Sequence, residues 1–135
     1  MDIQIARVGI VSCSGEELPE GTLSRLACRR VLDTRPGETV TICLPLFIAG
    51  GEEERTFASN YPTITVDGCD KLCAAKATEM LSGKPSRVLL VPDILKKHGL
   101  APPGKLRHFG PEEDAAVKAV AAEIANAVDE VLEEE

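Results

Sequence analysis

Short β-branched runs alternate along the chain with polar or amphipathic stretches of helical length. Ile3 to Ser12 predicts a first strand, clearest from Val8 onward. Thr22 to Leu32 follows as a helix, with Thr22 as its N-cap and Asp33 to Gly37, which contains Pro36, as its stop. Thr39 to Leu44 is dense in Thr, Val and Ile and predicts a second strand. Gly50-Gly51 precedes Glu52-Glu53-Glu54, whose acidic residues suit the positive end of a short helix reaching Asn60. Pro62 ends that helix and leads into a third strand, Thr63 to Val66. Asp70 to Leu81 predicts the next helix, with Asp70 as its cap and Gly83 then Pro85 as its stop.

Arg87 to Val91 reads as a fourth strand, apolar on both faces as a buried parallel strand would be. Pro92 to His98 predicts a short helix and Gly99 to Phe109 an irregular segment. From Pro111, the residues Val117, Val120, Ala121, Ile124, Val128 and Val131 recur at helical spacing, the strongest amphipathic stripe in the chain. Glu133 to Glu135 place negative charge at that helix's unfavourable end, so the tail is expected to fray. Strands alternating with helices build right-handed βαβ units. The expectation is a three-layer α/β domain of Rossmann-like or flavodoxin-like kind, with a mainly parallel four-stranded sheet in the order 2-1-3-4.

Size and composition narrow this picture. The chain's 135 residues are enough for a single domain with its own core, and no repeat or linker divides them. With three Phe, one Tyr and no Trp, the core is expected to be aliphatic. A net charge of −7 argues against nucleic acid, which calls for a Lys/Arg surface, and against anionic membrane surfaces. No segment approaches the roughly 20 apolar residues of a membrane span, and MDIQIARVGIVS does not read as a signal peptide. A cytoplasmic, reducing location is therefore expected, where five cysteines point to metal or catalysis rather than to a disulfide framework.

The cysteines are the candidate chemistry. Cys13, Cys43 and Cys69 each stand at or just beyond the end of a predicted strand, and Cys73 follows Cys69 by one helical turn. Ligands in an α/β sheet bind at the carboxyl ends of the strands. In the order 2-1-3-4, Cys13 falls between Cys43 and Cys69 on neighbouring strands about 4.8 Å apart. Cys69 and Cys73 share a helix face, at the end whose partial positive charge favours thiolate. Gly68 permits a tight turn or a backbone approach that a side chain would obstruct. Converging thiols suit a soft metal, an iron–sulfur cluster or sulfur redox chemistry.

At these residues the chain resembles the DGC domain family, named for the tripeptide seen here as Asp67-Gly68-Cys69. The likeness runs from Val8 to Val91, through Cys13-Ser14-Gly15, Cys43 and VDGCDKLCA. It implies zinc as the bound metal, with Cys13, Cys43, Cys69 and Cys73 as the four ligands.

Other residues read more plainly. A free cysteine is commonly a small buried hydrophobe, and Cys28, among Leu26, Ala27, Val31 and Leu32, fits that description. His98 and His108 lie in loop-like sequence and read as solvated residues rather than ligands. The oxyanion-binding C-x5-R pattern is absent after Cys13, since position 19 is Pro and the first following arginine is Arg25. Neither Walker A nor GxGxxG occurs. Three functions remain: a zinc protein, a thiol redox or persulfide-transfer protein using the same cysteines, and an iron–sulfur protein. The sequence assigns no reaction and no protein partner.

Overall fold

A computed structural model of the chain describes residues 7–134, so the predicted strand residues before Arg7, and Glu135, lie outside the described part. The element order is β1 (Val8–Ser12), α1 (Pro19–Thr34), β2 (Thr39–Val40), α2 (Leu46–Ala49), α3 (Glu52–Arg55), α4 (Phe57–Asn60), β3 (Thr63–Asp67), α5 (Cys73–Leu81), β4 (Arg87–Leu90), α6 (Val91–Lys97) and, after a 3-10 turn, α7 (Asp114–Glu134). The four strands form one sheet in the order β2-β1-β3-β4, and every pairing is parallel. All four carboxyl ends therefore lie on one edge, as the alternating pattern predicts.

The sheet's two faces carry different cores. Val8 and Ile10 of β1 and Ile64 and Val66 of β3 pack with Leu23 and Val31 of α1, Leu95 of α6 and the apolar stripe of α7. That larger core is aliphatic, as expected. The opposite face departs from the expectation: Val11 and Ala74 pack there with two aromatic residues, Phe47 and Phe57. The Phe57 ring lies 6.5 Å from Phe47 and 5.4 Å from Tyr61, centroid to centroid. Gly9 makes room for it, because a Cβ there would stand 2.6 Å from the Phe57 ring.

Several element ends differ from the sequence expectation for local reasons. α1 begins at Pro19, which suits a first helical position, so Thr22 is no cap; its hydroxyl donates to the Leu106 carbonyl at 2.8 Å. β2 stops at Val40 rather than Leu44. The Thr41 hydroxyl donates to the Ile10 carbonyl at 2.6 Å in place of a ladder bond, and the chain turns away. The helix expected over residues 52–60 is broken at Thr56 into α3 and α4, and α2 precedes it unpredicted. β4 pairs only with β3, so it is an edge strand and not buried on both faces; Val88 is 48% exposed. α7 stays helical to Glu134, whose carboxylate meets Arg87.

Candidate functional site

The carboxyl edge of the sheet is assembled by backbone contact before any thiol is placed. A Cβ on Gly21 would stand 1.8 Å from the Gly15 carbonyl oxygen, and one on Gly68 only 2.6 Å from the Gly21 nitrogen. Three segments meet here without side chains between them: the turn after β1, the first turn of α1 and the turn after β3. Gly68 is thus required for a close approach, one of the two roles its position suggests. The pattern of apolar and polar positions does not mark Gly21. It falls just before the predicted helix start at Thr22; the observed start at Pro19 puts it inside the first turn, where an isolated glycine marks a close backbone approach.

Cys13 lies immediately beyond β1, and its N–H donates to the Val66 carbonyl at 3.0 Å, continuing the pairing with β3. Its sulfur accepts the Gly68 N–H at 3.3 Å and lies 3.5 Å from the Ser24 hydroxyl oxygen. Ser24 is fully buried and donates its own proton to the Gly21 carbonyl at 2.6 Å. The thiol is therefore the donor between Cys13 and Ser24. Ser24 is a second site residue that sequence patterning does not reveal, because a serine inside a helix is usually solvated.

Asp67 ends β3 with a buried side chain, 1% exposed. Its two carboxylate oxygens accept the Ala74 N–H at 2.7 Å and the Ala75 N–H at 3.2 Å. Asp67, and not Asp70, therefore caps α5, across the intervening turn. Burial raises the Asp67 carboxyl above the usual aspartate range, and the two N–H donors pull it partly back. The helix end that was expected to face the thiols is thus occupied by this carboxylate.

Cys69 is half-buried after Gly68, and Cys73 is exposed at the start of α5. Between them Leu72 adopts a left-handed backbone with φ 53°, and its N–H donates to the Cys69 carbonyl at 3.1 Å. Ser14, beside Cys13, has φ 51°. Among the described residues these are the non-glycine positions with positive φ, and each adjoins a cysteine of the site. Such conformations cost about 1–3 kcal/mol and concentrate at functional sites.

A cavity of about 50 Å³ lies at this edge, lined by Cys13, Cys69 and Cys73 together with Gly15, Glu17, Leu18, Gly21, Asp67 and Gly68. Three of the four expected cysteines are thus brought to one place. Cys43 is exposed in the turn beyond β2 and does not line the cavity. Among the described residues, no three Cys, His, Asp or Glu side chains stand in an arrangement ready to hold a metal ion. The donor chemistry of Cys13, Cys69 and Cys73 suits a soft metal, but the fourth position is not supplied by Cys43 as the backbone stands.

Cys28 is buried in the larger core, 4% exposed, one helical turn beyond Ser24. Burial, with negative charge on Cys13 and Asp67 as lesser causes, pushes its thiol well above the ordinary value of 9.0. His98 Nε2 lies 3.0 Å from the Glu123 carboxylate, which Lys97 also holds at 2.8 Å; the hydrogen bonds from Lys97 first and His98 second keep Glu123 below the usual glutamate range. His108 is exposed. A larger cavity, about 450 Å³, lies between α1 and α7, lined by residues including Leu26, Arg29, Phe109 and Val117, and holds no thiol.

A parallel α/β sheet whose carboxyl edge gathers thiols from two strand ends and a helix start defines a cysteine-cluster α/β domain. The chain belongs to the DGC domain family, whose model matches residues 9–131. The match passes beyond Val91, where the sequence likeness stops, and takes in α6 and most of α7. No curated protein and no solved structure matches the chain. No described helix is long and apolar enough to cross a membrane.

Proposed function

We propose that this DGC domain is a metal-binding protein, with zinc as the metal and the thiols at the sheet's carboxyl edge as its ligands. The observation that carries this reading is that Cys13, Cys69 and Cys73, from separate turns, line one small cavity. Zinc is borderline-soft and takes cysteinate in tetrahedral sites. The absence of a ready-made arrangement is compatible with it, because ligand thiols lose protons and draw together as metal binds. Bound zinc would supply Lewis-acid character, and with three thiolates an exchangeable fourth position as well. The family resemblance implies Cys43 as a fourth ligand, although it does not line the cavity. The reading places the protein where thiols stay reduced, as in cytoplasm.

The test is elemental analysis of protein purified without oxygen, alongside a thiol titration with and without chelator. The expected result is about one Zn²⁺ per chain, with thiols that become more reactive when the metal is removed. Metal-free protein with fully reactive thiols overturns the zinc reading. Iron accompanied by a visible absorption band points instead to a cluster.

One observation favours a second reading, thiol redox or persulfide transfer. The three cavity thiols are free, and no three donors are already arranged around a metal position among the described residues. In that case one cavity cysteinate attacks a disulfide substrate and expels one of its sulfurs as thiolate, and a second cavity cysteinate attacks the resulting mixed disulfide, which leaves an intramolecular disulfide and releases the reduced substrate.

A further inference from the structure

We propose that the cavity between α1 and α7 is a second binding site, and that it takes a free α-amino acid with a large apolar side chain. This is independent of the thiols and of the metal reading. The cavity measures about 450 Å³, within the roughly 300–1,000 Å³ usual for small-molecule sites. Its apolar wall is made by Leu26 of α1, Phe109, and Val117 of α7. Phe109 is the aromatic residue that the second core does not use, and it stands half-buried against the larger core. A partly exposed ring beside two aliphatic side chains suits an apolar group of comparable size.

The polar lining fixes the rest of the guest. Asp114 is held by Arg30 at 3.1 Å and by Lys118 at 3.0 Å. The Thr34 hydroxyl donates to the Arg30 carbonyl at 2.9 Å, and the Gly110 N–H donates to the Glu113 carboxylate at 2.8 Å. Arg29 and Asp33 remain. Both are exposed, both line the cavity, and neither makes an ion pair among the described residues. They stand four residues apart on α1, the spacing at which opposite charges on a helix can meet. An uncommitted cation and an uncommitted anion on one helix face complement a guest that carries both charges close together. An α-amino acid supplies them: its carboxylate pairs with the Arg29 guanidinium, its ammonium pairs with Asp33, and its side chain rests on the apolar wall. A simple carboxylate would face Asp33 unmatched, and a simple amine would face Arg29 unmatched, so the lining discriminates against both.

The experiment titrates the full chain with L-phenylalanine and follows its backbone amide chemical shifts. Shifts are expected at Leu26, Arg29, Phe109 and Val117, and none at Cys13 or Cys69. Hydrocinnamate, which lacks the ammonium, and phenethylamine, which lacks the carboxylate, should each bind about tenfold or more weakly, since each forgoes a charge-assisted hydrogen bond. Arg29→Gln should weaken L-phenylalanine to a similar degree and leave phenethylamine unchanged. Asp33→Asn should weaken L-phenylalanine likewise and not weaken hydrocinnamate. Both altered positions are exposed, and circular dichroism checks that each variant folds. Equal affinity for the three compounds, or L-phenylalanine that perturbs none of the four cavity amides at millimolar concentration, overturns the proposal. Zinc content is measured on the same variants and should not change, so failure of this site leaves the metal reading intact.

Discussion

Cys28 and Cys13 carry the same thiol within one neighbourhood, and their surroundings divide them. Cys28 is walled into the aliphatic core, and burial beside negative neighbours holds its proton far more firmly than an ordinary thiol does. A thiolate-directed reagent at neutral pH should therefore modify Cys43 and the cavity cysteines of metal-free protein while sparing Cys28. Cys28 should react only after denaturant is added. Mass mapping of the labelled peptides checks this, and early labelling of Cys28 would contradict its burial. Gly21 makes a second residue-scale claim. Gly21→Ala forces a methyl group against the Gly15 carbonyl, so it should destabilise the fold by about 1–3 kcal/mol and lose metal by displacing the Cys13 turn. Gly37→Ala, with nothing within 4 Å of the added carbon, is the control and should melt like wild type.

At the scale of elements, α5 is started by a residue that precedes it by six positions, from Asp67 to Cys73. Asp67→Ala leaves the Ala74 and Ala75 N–H groups without their acceptors, and should cost about 2 kcal/mol in denaturant unfolding. Asp67→Asn keeps one acceptor oxygen and should cost less. The pH dependence follows from the direction of the Asp67 shift. Its carboxyl is raised in the folded chain above the ordinary 3.8, so the folded state holds the proton more tightly than the unfolded state does. Its stability contribution is complete below the ordinary value and is lost as pH rises through the raised one. Melts across that range should show wild type losing stability relative to Asp67→Asn as pH rises; the opposite slope would mean that the two N–H donors outweigh burial.

At the scale of the whole molecule, folding and site chemistry rest on different parts. α7 lies along α1 and over the sheet, with Val120, Ile124 and Val128 fully buried. Arg35, at the end of α1, fastens the pair through the Ala125 carbonyl at 3.2 Å and Asp129 at 2.6 Å. Ile124→Ala should lower stability by about 3 kcal/mol without altering which thiols face the cavity. Cys73→Ser should do the reverse. Its side chain is exposed on the first turn of α5, so the melting curve should stay near wild type while zinc content falls, a hydroxyl being a poor soft-metal ligand. Outright unfolding of Cys73→Ser would make the metal a structural staple, and unchanged zinc content would remove Cys73 from the ligands.

Much of this was legible in the order of residues. β-branched runs of strand length between helical patterns dictate an alternating α/β chain, and right-handed crossovers leave few strand orders, among them the observed β2-β1-β3-β4. The stripe from Val117 to Val131 specifies a helix and its buried face because helical periodicity is a local property. The end of β2, the cap of α5 and the aromatic second core were not legible. The first and last depend on partners distant in sequence, Ile10 for Thr41 and Gly9 for Phe57, and the cap of α5 depends on how the turn after β3 folds Asp67 back onto the Ala74 N–H. The cysteines divide along the same line. Their spacing alone places them at one end of the sheet, since parallel strands share a carboxyl edge. Tertiary contact decided that Cys13, Cys69 and Cys73 share a cavity with Glu17, while the early turn after Val40 leaves Cys43 outside it.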